Sequence, residues 1–473
     1  MRFRYFTILQ TRALSGAVMA AGTLCFVLAT RSYGAVTLKP GQSIQAAVNN
    51  YPAGTTFVLS AGVYRNQTVV PKQSDIFVGQ SGAYLNGATV LTSFSRSGSY
   101  YLSHIHISQI SAGGSCLSNR PGCAHPEDLF YDGRRLERVN YASSVTPGRW
   151  YYNTSTSNVY MADYPWGHSV QISTSRHAFL GSASGVVIRS LHIQKYANPA
   201  QDGAIDCGPT WTVEQNEISY NHGVGIHLDS GDQALNNSIH HNGQIGLSGE
   251  GNSIVVQGNE IAYNNAAGYN WSWEAGGAKF TSTNGLSVRS NYSHDNLGPG
   301  FQTDYNNSNT VYDGNRTSRN LVAGIQHEIS FSAVIRYNTI VNDGYDPRGS
   351  SAWWGGGIRI LASSNVQVYG NTVTNCRNAI VALQTDRGST SYEVRNLWVH
   401  NNTVNQTTGT AAGIVAQSKF EPMIYTSWNN HFNYNTYHLI SLGTAFFAWQ
   451  HQVMSFGSWR NYGNDRNGTA LLL

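Results

Sequence analysis

Two segments of this 473-residue chain reach a carboxylate by the same route: residues 299–304 read PGFQTD and residues 323–328 read AGIQHE. Only 11% of the chain is charged, against about a quarter in an average globular protein. Acids at matching points of two similar segments therefore invite a chemical explanation. A close pair of carboxylates can protonate a glycosidic oxygen and attack or hydrate the sugar. It can also hold a hard divalent cation. The plain alternative is a solvated pair balanced by nearby cations such as Lys279 and Arg359.

The elements that would bring Asp304 and Glu328 together are repeats. The units QNEISYNHGVGIHLD, NNSIHHNGQIGLSG, GNEIAYNN, SNYSHDNLGPGFQTD, GNRTSRNLVAGIQHE, YNTIVNDG, GNTVTNC and NNTVNQT follow one another. Their leading Asn residues fall at 216, 237, 259, 291, 315, 338, 371 and 402, so successive differences are 21, 22, 32, 24, 23, 33 and 31. A basic period in the low twenties marks a solenoid. The apolar segments are short, β-branched and alternating, as in AVIRYNTI, and the turns are Asn and Gly. A second Asn recurs at Asn221, Asn242, Asn264, Asn296 and Asn320. Stacked coils would align both sets into ladders of side-chain hydrogen bonds. The pattern predicts a parallel β-helix with one coil per repeat.

This repeat resembles the right-handed parallel β-helix proteins of the pectate-lyase-like superfamily. LKPGQSIQAAVNN and AGTTFVLSAGVYR resemble the N-terminal cap helix and first coil, and SGAYLNGATVL the next. FFAWQHQVMSFGSWRNYGNDRNGT resembles the tail of carbohydrate-active members. The resemblance implies an all-β fold, a single solenoid. Its parts would be an export signal over 1–35, a cap and first coils over 36–99, and coils with a C-terminal cap over 176–473. Between them, DLFYDGRRLERVNY and GRWYYNTSTSNVYMADYPW read as a lateral antiparallel hairpin insert over 100–175. The superfamily includes hydrolases, lyases, epimerases and tailspikes, so fold alone does not choose a reaction.

Period-two alternation then places side chains. With Ile226, Leu247, Ala278, Phe301, Ile325 and Ile358 pointing inward, one outward column reads His227, Ser248, Lys279, Gln302, Gln326, Arg359. The next reads Asp229, Glu250, Thr281, Asp304, Glu328, Leu361. Asp304 and Glu328 become neighbours about 4.8 Å apart, with Lys279 one coil away. Like charges that close disfavour joint ionisation, so one pKa should rise. The repeats with differences of 32 and 33 carry Trp-rich loops at the same strand position, NAAGYNWSWEAGG and NDGYDPRGSSAWWGGG, with the coils bearing Asp304 and Glu328 between them. They are expected to rise as walls offering Trp271, Trp273 and Glu274 on one side and Asp346, Arg348, Trp353 and Trp354 on the other. Trp faces suit sugar stacking, and packing of the loops on themselves is the plain alternative. His327 is counted among the substrate contacts, although parity turns it inward.

The first 35 residues carry Arg2, Arg4, Arg12, Arg31, a 17-residue apolar run and a small-residue end, which predicts a cleaved export signal. Without it, 29 − 4 = 25 basic residues face 25 acidic ones. The net charge of +4 belongs to the signal, and nothing favours nucleic acid. No later segment is apolar enough to span a membrane. Cys116 and Cys123 are expected to form a local disulfide, as suits an exported protein.

The first functional reading is a secreted or periplasmic glycoside hydrolase, expected as a monomer, acting on a polysaccharide or oligosaccharide. Its catalytic residues are Asp304, Glu328, Lys279 and Glu274. Its substrate contacts are Trp271, Trp273, Gln302, Gln326, His327, Arg348, Trp353, Trp354 and Arg359, and it requires no cofactor. The second reading is a uronan lyase or C5-epimerase, with Lys279 or His294 as base and Ca2+ held by Asp304 and Glu328. The third is a non-catalytic carbohydrate-binding β-helix.

Overall fold

The structure is a computed structural model and describes residues 34–108, 111–347, 355–389, 391–418 and 422–473. All but the last two residues of the expected export segment lie outside the described residues. Among the described residues no helix is long and apolar enough to cross a membrane.

Three long sheets run the length of a parallel β-helix. The first has 13 strands, from Val36–Leu38 to His431–Asn433. The second has 13, from Gly62–Arg65 to Thr469–Leu472. The third has 12, from Phe179–Leu180 to Gln452–Met454, and only its last pairing is antiparallel. From Phe179 to Leu439 each coil contributes one strand to each sheet, and the coils before Phe179 supply only the first two. Inward positions stack like on like, as in Ile218, Ile239 and Ile261, or Ile205, Ile226 and Leu247. These columns merge into one continuous buried core.

The corners explain why the strands are so short. A residue in the left-handed region precedes each ladder Asn, for example Gln215 (φ 56°), Tyr220 (φ 59°), His241 (φ 56°) and Tyr337 (φ 56°). That conformation costs a non-glycine residue roughly 1–2 kcal/mol. The Asn that follows offsets it. Asn291 Nδ2 donates to Asn315 Oδ1 at 3.0 Å, and the same oxygen accepts the Asn291 backbone N–H at 3.0 Å. The first ladder runs in this manner from Asn216 to Asn435 and ends on Asp465. The second runs from Asn221 to Asn320 and ends on Asp343.

A third ladder, not visible in the repeat, follows the third sheet. Asn307 Oδ1 accepts the Thr283 N–H, Ser330 Oγ accepts that of Asn307, and Ser363 Oγ accepts that of Ser330, at 3.1, 3.2 and 3.1 Å. Mixed residue types hide it from a search for recurring Asn.

Both ends of the core are covered. The helix Ile44–Asn50, N-capped by Ser43, turns Ile44 and Val48 onto the first coils. At the other end Phe447, Trp449 and Trp459 pack into the last coil. Asp465 there accepts from Asn435, Tyr437 and Trp459.

The chain leaves the coils after Asn86 and rejoins the third sheet at Phe179. Between them lie a four-stranded sheet and a five-stranded sheet around Trp150, Leu129, Ile172 and Met161. The excursion starts with strand Ala88–Leu91, ahead of the residue-100 boundary read from the sequence, and one of its pairings is parallel. Alternation in Ala88–Leu91 looks like one more coil, but its partner is the antiparallel Val170–Ser173. Cys116 and Cys123 are disulfide-bonded, and Cys116 forms a β-bridge with Tyr269.

Asp343 shows what ending a ladder costs. Burial pushes its carboxyl up to about 7, against hydrogen bonds from Thr317 and Asn320. The native state keeps this proton until about pH 7, while the unfolded chain releases it near 3.8. The unfolded state thus binds fewer protons in that window, and stability falls as pH rises through it. Asp343→Asn can continue the ladder without a charge. Its advantage over the wild type should be larger at pH 8 than at pH 5 in urea unfolding, by up to about 1.4 kcal/mol per pH unit crossed. A pH-independent difference would contradict this.

Candidate active site

The third sheet pairs in the register read from the sequence. Ala278, Phe301, Ile325 and Ile358 face inward in one column. His227, Ser248, Lys279, Gln302, Gln326 and Arg359 form the outward column beside it. Asp304 pairs directly with Glu328, one step further along the strands. Asp229 leaves its column, because the strand ends at Leu228 and its carboxylate accepts the Ser230 N–H.

The two acids meet opposite partners. Lys279 Nζ lies 2.9 Å from Asp304 Oδ2 and 3.7 Å from Glu274 Oε1. Burial pulls the Lys279 ammonium down, but Asp304, Glu274 and Glu328 outweigh it and the net shift is upward. Glu328 is buried. Its Oε2 accepts from Gln326 Nε2 at 2.6 Å, and Gln326 Oε1 accepts from Arg359 Nη1 at 2.7 Å. Its Oε1 is ion-paired with Arg387. Burial, then the charge of Asp304, raise the Glu328 pKa against the pull of Arg387 and Arg359. Arg359 itself is brought down to about 10 by burial, with Glu328 opposing, and stays charged at neutral pH.

Several expected contacts fall elsewhere. His327 is fully buried, with Nδ1 bonded to Thr303 Oγ1 at 2.7 Å and Nε2 at 3.2 Å from Phe331 O, and burial takes it down to about 4. It is a neutral core residue and reaches no ligand. Trp271 and Trp273 pack against Cys123, Tyr269 and Ala275. Trp273 stacks on Tyr269, and Trp271 Nε1 donates to Asp346 Oδ2 at 2.5 Å. These partly buried rings fasten their loop to the insert and to the second long loop. The two loops do not stand apart as separate walls, since that bond joins them across the coils between. Arg348, Trp353 and Trp354 lie outside the described residues. His294 belongs to the second sheet, where it pairs with Glu260 and Asp295, so it is not beside Lys279.

Two participants escaped the sequence. Arg387 comes from the connection after strand Asn378–Thr385, which Tyr392 holds by donating to Asn306 Oδ1 at 2.6 Å. The ladder difference of 31 between Asn371 and Asn402 marks this extra length. Gln201 precedes the first clear repeat; its Nε2 donates to Glu274 Oε2. Among the described residues no group of three or more His, Cys, Asp or Glu is placed to hold a metal ion.

The right-handed β-helix region family matches residues 204–349. The fold is similar to that of XylC in its complex with xylose, with a TM-score of 0.66 at 16% identity over 84% of this chain and 80% of that one. It is also similar to the A-module of the Azotobacter vinelandii mannuronan C-5 epimerase AlgE4, with a TM-score of 0.50 at 15% identity over 84% and 89% of the two chains. No curated protein matches the sequence. The chain is thus a right-handed parallel β-helix.

The opposed charges around Glu328 give a direct test by carboxyl 13C NMR. Arg387→Met should raise its pKa further, and Asp304→Asn should lower it. Equal values in all three proteins would contradict the geometry.

Proposed function

We propose that this protein is a carbohydrate-active enzyme, and specifically a glycoside hydrolase with Asp304 and Glu328 as its working pair. The observation that carries the reading is the contrast between two acids on adjacent strands. Glu328 is buried with a raised pKa, while Asp304 is ion-paired with Lys279. A buried carboxyl with a raised pKa beside an ion-paired neighbour suits the division of labour between an acid and a nucleophile.

Glu328 would protonate the glycosidic oxygen as the bond to the anomeric carbon breaks. Asp304 Oδ would form a bond to that carbon. Water, deprotonated by the now ionised Glu328, would then release the sugar and regenerate both groups. Strands about 4.8 Å apart favour the short carboxylate spacing of retaining enzymes. Lys279 would hold the Asp304 carboxylate in place, and Gln326 with Arg387 would orient Glu328. The fold serves sugars elsewhere: XylC has been captured with xylose, and AlgE4 is named a mannuronan epimerase.

The lyase or epimerase reading asks Lys279 to take a proton. The carboxylates around it favour its protonated form, the reverse of what a base at neutral pH requires. The non-catalytic reading leaves the raised Glu328 pKa without a use. Address follows the same logic: the N-terminal pattern and the Cys116–Cys123 disulfide support a secreted or periplasmic protein.

The test is a panel of neutral and uronic polysaccharides with and without EDTA, read for reducing ends and for 235 nm absorbance. Reducing ends without absorbance, indifferent to EDTA, are expected. Asp304→Asn and Glu328→Gln should each lower the rate by about 100-fold or more. Calcium-dependent absorbance would replace this reading with a lyase.

A further inference from the structure

Beside the acid pair the third sheet carries a cavity of about 300 Å3. His227, Ser248 and Lys279, successive members of one outward column, line it with Glu250, Glu274 and Gln201. The volume equals roughly ten waters at liquid density, the scale of one sugar ring and not of a chain. The cavity is closed along the edge where the chain enters the sheet. There Gln201 bonds Glu274 through both carboxylate and backbone routes: Gln201 Nε2 donates to Glu274 Oε2, and Gln244 takes the Gln201 N–H at 2.6 Å while donating to Glu274 O at 3.0 Å. On its other side Lys279 is the boundary with Asp304.

Its charge is one-sided. Among the described residues Lys279 is the only Lys or Arg in the lining, and Glu274 and Asp304 already flank its ammonium at 3.7 and 2.9 Å. Glu250 adds an exposed carboxylate on the rim. An anionic sugar would have to displace a carboxylate from Lys279 and face the others, which a low-dielectric cavity punishes. Hydroxyl groups meet a richer set of partners. His227 Nδ1 and Ser248 Oγ lie 2.8 Å apart and can share donors and acceptors with a ring, as can Gln201 and Glu250.

Resting on the hydrolase reading, we propose that this cavity seats a single sugar ring next to the bond that Asp304 and Glu328 attack, and that this ring carries no carboxylate. Glu274 is then a specificity residue: together with Asp304 it neutralises the Lys279 ammonium that could otherwise hold a uronate.

Calorimetric and NMR titrations of the wild type with xylose, glucose, glucuronate and galacturonate test this without turnover. At least one uncharged sugar should bind, with both uronates weaker by about tenfold or more. Glu274→Gln should leave Lys279 with Asp304 as its carboxylate partner at this edge and strengthen uronate binding by about tenfold. Glu250→Gln, an exposed change that leaves the fold alone, should move uronate binding the same way by less. Ser248→Tyr, which fills the floor, should abolish binding of the uncharged sugar. Uronates binding as tightly as uncharged sugars would overturn the proposal, as would silence from all four or binding unchanged in Ser248→Tyr. The expected binding pattern in a protein that cleaves no polysaccharide would overturn the hydrolase reading alone.

Discussion

Everything at the site depends on one constraint: each coil must hand a side-chain acceptor to the backbone N–H of the coil before it. Asn does this at two corners, with its Oδ1 taking both a backbone and a side-chain donor from its neighbour. A coil that slipped by one residue would break these bonds at both corners and turn its apolar column outward. Register is thereby pinned twice per turn. The third ladder extends this control to the strand ends that carry the acids. Ser330 accepts from Asn307 and donates to the carbonyl of Glu328 at 2.7 Å. Asp304 and Glu328 are neighbours because of residues that never touch a ligand.

Given that register, the electrostatics follow from composition along two columns. Lys279 precedes Asp304, and Arg359 follows Gln326, so cations bracket the acids from either end of the stack. The brackets differ in reach. Lys279 meets Asp304 directly, whereas Arg359 reaches Glu328 through the Gln326 amide. Arg387 supplies the direct partner that the column lacks. Asymmetry between two otherwise similar segments thus arises from what stands one or two coils away, not from the segments themselves.

That division also decides what could be read from the sequence. Stacking is local and periodic, so the Asn ladders, the inward columns and the Asp304–Glu328 pairing were legible from spacing alone. Arg387 lies 59 residues from Glu328 on a connection without period, and nothing in the repeat directs it back over the sheet. The packing of Trp271 and Trp273 was not legible, because composition says that a ring is present but not which face is covered. The cover is the Cys116–Cys123 segment of the insert, whose position the coil pattern does not encode. His327 shows the converse: parity alone turned it inward, and its chemistry had suggested otherwise.

The insert gains its importance from that cover. A four-residue helix, Trp271–Glu274, cannot hold itself in water. Here Asn270 caps it, Trp273 rests on Tyr269, and Tyr269 is fixed by its bridge to Cys116 and its hydroxyl contact to buried His222. His222 in turn contacts Asp128 of the insert at 3.1 Å. On the opposite side Trp271 is tied to Asp346. Glu274 therefore ends a chain of contacts that begins in the antiparallel sheets and reaches Lys279. An excursion that resembles decoration on a solenoid is the support that places the Glu274 carboxylate near the Lys279 ammonium. A charge held there by packing costs no reorganisation when a sugar arrives.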